Sequence, residues 1–126
     1  SHQASAARGL IELGSDLSFI IAKEKPKKKL SFFISGRASS SVIKALNFST
    51  ASFLNELFKK FNGDGGGHAG AAAGKGVVDE EKLKKWLIEK EKKDANYQWL
   101  EKDVINYIKF ELISELNKIG EWRKHA

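Results

Sequence analysis

Two apolar runs near the start of the chain, LSFIIAK (17–23) and LSFFISG (30–36), define the first elements. They are rich in Phe and Ile and flank a polar segment, KEKPKKK (23–29), that carries the only proline. Apolar runs joined by a short charged loop predict an antiparallel β-hairpin. Neither run alternates clearly, which predicts that at least one strand is buried on both faces. Lysines at the hairpin tip would resist pairing with other chains. Upstream, ASAARGLIEL (4–13) is expected to form a short helix that Gly14 stops.

Residues 37–48 (RASSSVIKALNF) follow as a loop that can include a helical turn. Ser49 is placed to cap a helix running to Phe61, its hydroxyl accepting from the first unpaired backbone N–H groups. Phe53, Leu54, Leu57, Phe58 and Phe61 share one face of that helix, and Asn62-Gly63 ends it. Within the next stretch, GAAAG (70–74) is expected to be a strand of small residues beside a close neighbour. Asp79, Glu80 and Glu81 open a further helix, favourably placed at its positive end, with Leu83, Trp86 and Leu87 turned inward. A last helix, 96–119, carries a stripe of Leu100, Val104, Tyr107, Ile108, Leu112, Leu116 and Ile119. Trp99, Ile105, Phe110, Ile113 and Trp122 lie off the stripe. So wide an apolar surface needs two partners, or one partner and a second chain; a homodimer through 96–119 is one expectation and ordinary burial the other.

These elements predict an α/β (α+β) fold: a small mixed β-sheet flanked by helices, with a long C-terminal helix. Residues 3–95 form the body and 96–126 a helical extension. At 126 residues the chain fits one core that needs no metal or disulfide to hold it. The absence of cysteine excludes disulfides and thiolate metal sites. No run reaches the length of a membrane span and no signal-peptide pattern opens the chain, so a cytoplasmic protein without membrane contact is expected. Ser1-His2 resembles the scar of a tag.

Charge changes the picture more than composition does. The net charge is +6, and residues 1–78 hold eleven Lys/Arg against five Asp/Glu, while the remainder is balanced. The excess therefore lies in the part containing FNGDGGGHAGAAAGKG (61–76), where seven of sixteen residues are glycine. A cationic field concentrates anionic ligands. Contiguous glycines are costly and are kept where a backbone turns sharply or approaches something closely. The run is expected to be a loop whose unobstructed N–H groups can form a concave nest for an anion. His68, directly after them, is placed to donate to a phosphate or a ribose hydroxyl, and Ala69 to Ala73 add no bulk. The alternative is a flexible Gly/Ala linker with an incidental histidine; the phenylalanine-rich helix before it and Val77-Val78 after it argue otherwise. A second feature is ISGRASSS (34–41). Arg37, at a strand end, offers a planar fork of donors to phosphate or carboxylate, and Ser39, Ser40 and Ser41 can add hydroxyls.

A strand ending in ISGRAS, then a helix, then GDGGGHAGAAAG resembles the DHH-associated domain of the DHH phosphoesterases, over residues 4–95. That family includes enzymes that degrade oligoribonucleotides, phosphoadenosine phosphate, cyclic dinucleotides and single strands. The resemblance implies a substrate-binding lobe with a mixed sheet and helices. It assigns the grip on a phosphate or terminal nucleotide to Gly65, Gly66, Gly67, His68 and Arg37, with Ser39 as a further member. Family members often carry four contiguous glycines; here there are three, and Asp64 precedes them, where a carboxylate must face away from any phosphate.

The family's catalytic lobe holds two divalent metals, usually manganese, on aspartates and histidines that include an Asp-His-His triplet. This chain has three histidines, two of them at its ends, and no such triplet. It is therefore expected to contain no catalytic residues, metal ligands or cofactor of its own. The Mn or Mg would belong to a catalytic lobe of the same full-length protein. The expected partners are that lobe and a short single-stranded nucleic acid or nucleotide. Two alternatives stand beside this one. A stand-alone nucleic-acid-binding module is suggested by a related domain in alanyl-tRNA synthetases, and would show steep salt dependence. An interaction domain built on the last helix would self-associate without nucleotide affinity.

Overall fold

The hairpin expected from residues 17–36 lies at the centre of the sheet. The computed structural model describes residues 8–23 and 30–119, so the charged tip falls outside the described residues. Strands Arg8–Leu13 (β1), Leu17–Lys23 (β2), Ser31–Ala38 (β3), Asp64–Gly67 (β4) and Ala71–Val77 (β5) form one sheet in the order β1-β2-β3-β5-β4. Its pairings are all antiparallel, in place of the mixed sheet expected. Helices Ser40–Leu46 (α1), Thr50–Lys59 (α2), Glu80–Glu89 (α3) and Glu101–Asn117 (α4) complete the described α/β fold.

Strand alternation sorts the sheet into two faces. Leu17, Phe19 and Ile21 of β2, Phe32 and Ile34 of β3 and Ala72 of β5 are buried on one face. Their neighbours Ile20, Phe33 and Val77 are about half exposed on the other. The expectation of a strand buried on both sides is thus corrected: β2 and β3 bury alternate residues only. Helix α2 covers β3, β5 and β4, and α4 covers β1 and β2, both on the buried face.

Three local expectations hold and three do not. The Ser49 hydroxyl accepts from the Ser52 N–H and caps α2, whose Phe53, Leu54, Leu57 and Phe58 are buried, with Phe61 just beyond. Asp79 and the two glutamates after it start α3, which buries Leu83, Trp86 and Leu87. The small-residue strand is β5, and the close neighbours are Phe58 over Gly74 and Phe61 over Gly76. By contrast, residues 8–13 form a strand instead of a helix, and residues 4–7 lie outside the described set. The reason is partnership: Gly14, at φ +64°, turns the chain back so that Arg8–Leu13 pairs with β2 along its whole length. The segment 37–48 holds a true helix, α1, because Ser39 caps it. The glycine run is itself a strand, β4.

Helix α4 begins at Glu101, later than expected, and finds its partners in the same chain: strands β1 and β2 and helices α2 and α3. Ile105 lies near Gly9 of β1, and Tyr107 meets the Trp86 ring of α3 at 5.5 Å. Phe110 also meets Trp86, at 5.8 Å, and with Ile113 stays partly exposed. Among the described residues no helix is long and apolar enough to cross a membrane.

Candidate functional site

The uncovered face of the sheet brings Arg37, Gly66 and the His68 turn of the expected site residues to one end. Register places Glu12, Ser18, Arg37 and Ala71 in one row across β1, β2, β3 and β5. The Ala71 carbonyl accepts from the His68 N–H at 2.8 Å, which closes the turn between β4 and β5. Arg37 and the His68 turn are therefore neighbours, about 5 Å apart between strands. Arg37 is exposed on this face.

The turn is held from below by α2. Thr50 is fully buried, and both its N–H (2.9 Å) and its hydroxyl (2.7 Å) donate to the Ala69 carbonyl. Ala51 N–H donates to the His68 carbonyl at 3.2 Å, and Ala38 N–H to the Gly70 carbonyl at 3.0 Å. Three successive carbonyls of the turn are thus fixed by the helix start and the end of β3. On the histidine ring, Nδ1 accepts from the Gly70 N–H at 3.1 Å. A neutral imidazole accepting at Nδ1 carries its proton on Nε2, so the outward nitrogen is a donor.

The glycines divide by role. At Gly63, Gly65 and Gly67 a Cβ would collide with the backbone of β5, at Lys75, Ala73 and Ala71 respectively. Gly67 also adopts φ +146°, which side chains disfavour. Glycine at every second position from 63 to 67 is therefore demanded by the close approach of β4 to its neighbour. Gly66 is not: a Cβ there would meet nothing within 4 Å, and its φ is ordinary. Its bare backbone faces solvent beside Ala73, one row from Arg37. The pairing of His68 with Ala71 also sets the hydrogen-bond alternation along β4, which turns the N–H groups of Gly65 and Gly67 to the free edge of the sheet.

Ser39 is used differently. Its hydroxyl donates to Asp16 Oδ1 at 2.8 Å and accepts from Val42 N–H at 3.2 Å, while its own N–H donates to the Asp16 carbonyl. It ties the end of β3 to the turn before β2, and so fixes Arg37 from behind. Asp64 lies at the other end of β4 from His68, opposite Lys75, roughly 13 Å away along the strand. That separation removes the repulsion its place in the sequence suggested.

Thr50, Asp16, Phe33 and Lys75 were not singled out from the sequence. Thr50 and Asp16 act across 19 and 23 residues, which leaves no local pattern. Phe33 had a signal, since strict alternation through SFFIS puts it on the face opposite Phe32. Among the described residues, no group of three or more His, Cys, Asp or Glu side chains is placed to hold a metal ion.

No protein-family model matches the chain, and no solved structure matches it. Over 88 residues, 70% of its length, it is 30% identical to an uncharacterized protein of Methanocaldococcus jannaschii. The chain spans about a quarter of that relative's length, 26%.

Proposed function

We propose that this chain is the substrate-binding lobe of a metal-dependent phosphoesterase of the DHH type, gripping the phosphate or terminal nucleotide of a short nucleic acid. The observation that carries the reading is Gly66. It is the glycine of the run that neither packing nor backbone conformation requires, and it lies beside Ala73, in the row next to that of Arg37 and the His68 turn, on a face of small residues. Arg37 supplies charge and a fork of donors, His68 a single donor at Nε2, and the edge N–H groups of β4 partial positive charge. The described residues do not fit a pair of catalytic metals, so no bond-breaking step is assigned to them. Hydrolysis belongs, in this proposal, to a separate lobe, and the length of the Methanocaldococcus relative has room for one.

The test is calorimetric titration of mononucleotides, a dinucleotide and a longer single strand at two salt concentrations. Short ligands are expected to bind, and Arg37→Ala and His68→Ala each to lower affinity about tenfold or more. Binding only of the long strand, steeply salt-dependent and indifferent to His68→Ala, would support the stand-alone nucleic-acid-binding module instead.

A further inference from the structure

The uncovered face carries a second set of groups, away from Arg37 and His68. Phe33 is 44% exposed on β3, one of the strands flanked on both sides in the sheet. In register beside it stand Ala22 on one side and Lys75, then Asp64, on the other. Ile20, Ser35 and Ala73 lie in the adjoining row. Together these residues line an open depression of about 490 Å³, within the size range of small-ligand sites. An aromatic side chain exposed in mid-sheet, with an alanine on one flank and a lysine on the other, presents a flat apolar surface with charge at its rim.

From this arrangement we infer that the Phe33 depression is a nucleobase pocket that selects amino-bearing bases, guanine above all, through the Asp64 carboxylate. The inference rests on the phosphate site proposed above. Phe33 offers one ring face for stacking, and Ile20 and Ala22 continue the apolar surface beneath a base. Lys75 stands between Phe33 and Asp64 in the same row and supplies a cation beside the base. Asp64 is an acceptor only, so it can take hydrogen bonds from exocyclic amino groups and from the guanine ring N–H, and repels the carbonyl edge of uracil or thymine. Guanine presents two adjacent donors to one carboxylate, which makes a two-point contact. Arg37 and Phe33 are four residues apart on one strand, roughly 13 Å. A nucleotide held at its phosphate by Arg37 reaches that far once the arginine side chain leans toward it.

A peptide or a second protein chain is the competing occupant of such a face. Base binding is favoured because a single exposed ring has a lysine beside it and an aspartate one strand further along the same row, with small residues around it, where a protein interface would present a broader apolar core.

The experiment titrates GMP, AMP and UMP into the protein and into Phe33→Ala, Asp64→Asn and Arg37→Ala. GMP is expected to bind about tenfold more tightly than UMP, the size of a two-point base contact. Asp64→Asn should collapse that ratio without weakening UMP. Phe33→Ala should weaken all three about tenfold, as loss of a stacking surface does. Because Phe33 and Asp64 are exposed, both variants are expected to fold, and a thermal melt checks this. Equal affinity for the three nucleotides, lost in Arg37→Ala and untouched by Phe33→Ala and Asp64→Asn, overturns the base pocket and keeps the phosphate site. No binding of any nucleotide overturns both. Self-association abolished by Phe33→Ala would assign the face to a second chain and also overturn the pocket.

Discussion

Gly70 donates its backbone N–H to Nδ1 of His68 across a three-residue turn, at 3.1 Å. The ring is thereby oriented, and its free nitrogen is a donor. Long-range nitrogen–proton NMR at alkaline pH is expected to find the neutral ring protonated at Nε2. A ring protonated at Nδ1 would mean that the turn bond is not made and that His68 presents an acceptor, which a phosphate would not tolerate.

The division of labour among the glycines gives a second expectation. Gly66→Ala should change stability by no more than about 0.5 kcal/mol, as surface substitutions do, yet weaken nucleotide binding by covering the backbone. Gly67→Ala should cost more than about 1 kcal/mol, because φ +146° and the Ala71 carbonyl both oppose a Cβ. Chemical denaturation and calorimetry on the same samples separate the two effects. Equal loss of stability in both would contradict the alternation of β4.

Thr50 connects the core to the turn. Thr50→Val keeps the shape but leaves the Ala69 carbonyl with one donor fewer, a loss of about 1 kcal/mol or somewhat more. Hydrogen exchange at the Gly70 amide should accelerate, and nucleotide affinity should fall although Thr50 touches no ligand. Thr50→Ser, which keeps the hydroxyl, should restore both. Unchanged exchange in Thr50→Val would show that the helix does not hold the turn.

A pH dependence follows from the contact between α2 and α4. Lys60 lies 2.7 Å from Glu115 and 3.0 Å from Glu111, and Lys118 lies 2.9 Å from Glu115. Burial alone would raise the Glu115 carboxyl, but the two lysines outweigh it and hold it below its ordinary value of 4.5. Burial likewise would lower Lys60, and the hydrogen bonds to Glu115 and Glu111 carry it above 10.5. A depressed carboxyl stabilises the fold fully above its unfolded value and loses that contribution as pH falls through the folded one. Stability from Glu115 should therefore fade below pH 4.5, and that from Lys60 only above pH 10.5. Glu115→Gln should cost about 1 kcal/mol at neutral pH and flatten the acid limb of a denaturation series.

What the sequence revealed and what it hid follow from the range of the interactions. Ser49, Asp79 and the apolar face of α2 act within one or two turns of chain, so their pattern is local and legible in the sequence. Residues 8–13 misled because Ala-rich residues precede them and a six-residue strand has too few positions to show its alternation against a helical period. Glycine is a poor strand former, so by its sequence the glycine run reads as a loop. Its strand character comes from a neighbour, β5, whose backbone comes too close for side chains at alternate positions. Ser39 was given to the ligand, and the structure gives its hydroxyl to Asp16 and its oxygen to α1. No spacing within the chain announces that pairing.

Helix α2 begins where its N–H groups meet the His68 turn and ends at Lys60, held by two glutamates of α4. Ten residues of helix make a strut of about 15 Å, stiff along its axis. The two ends of that strut tie the His68 turn to α4, the described helix farthest from it in sequence, so a shift of α4 along the strut axis would bear directly on the turn.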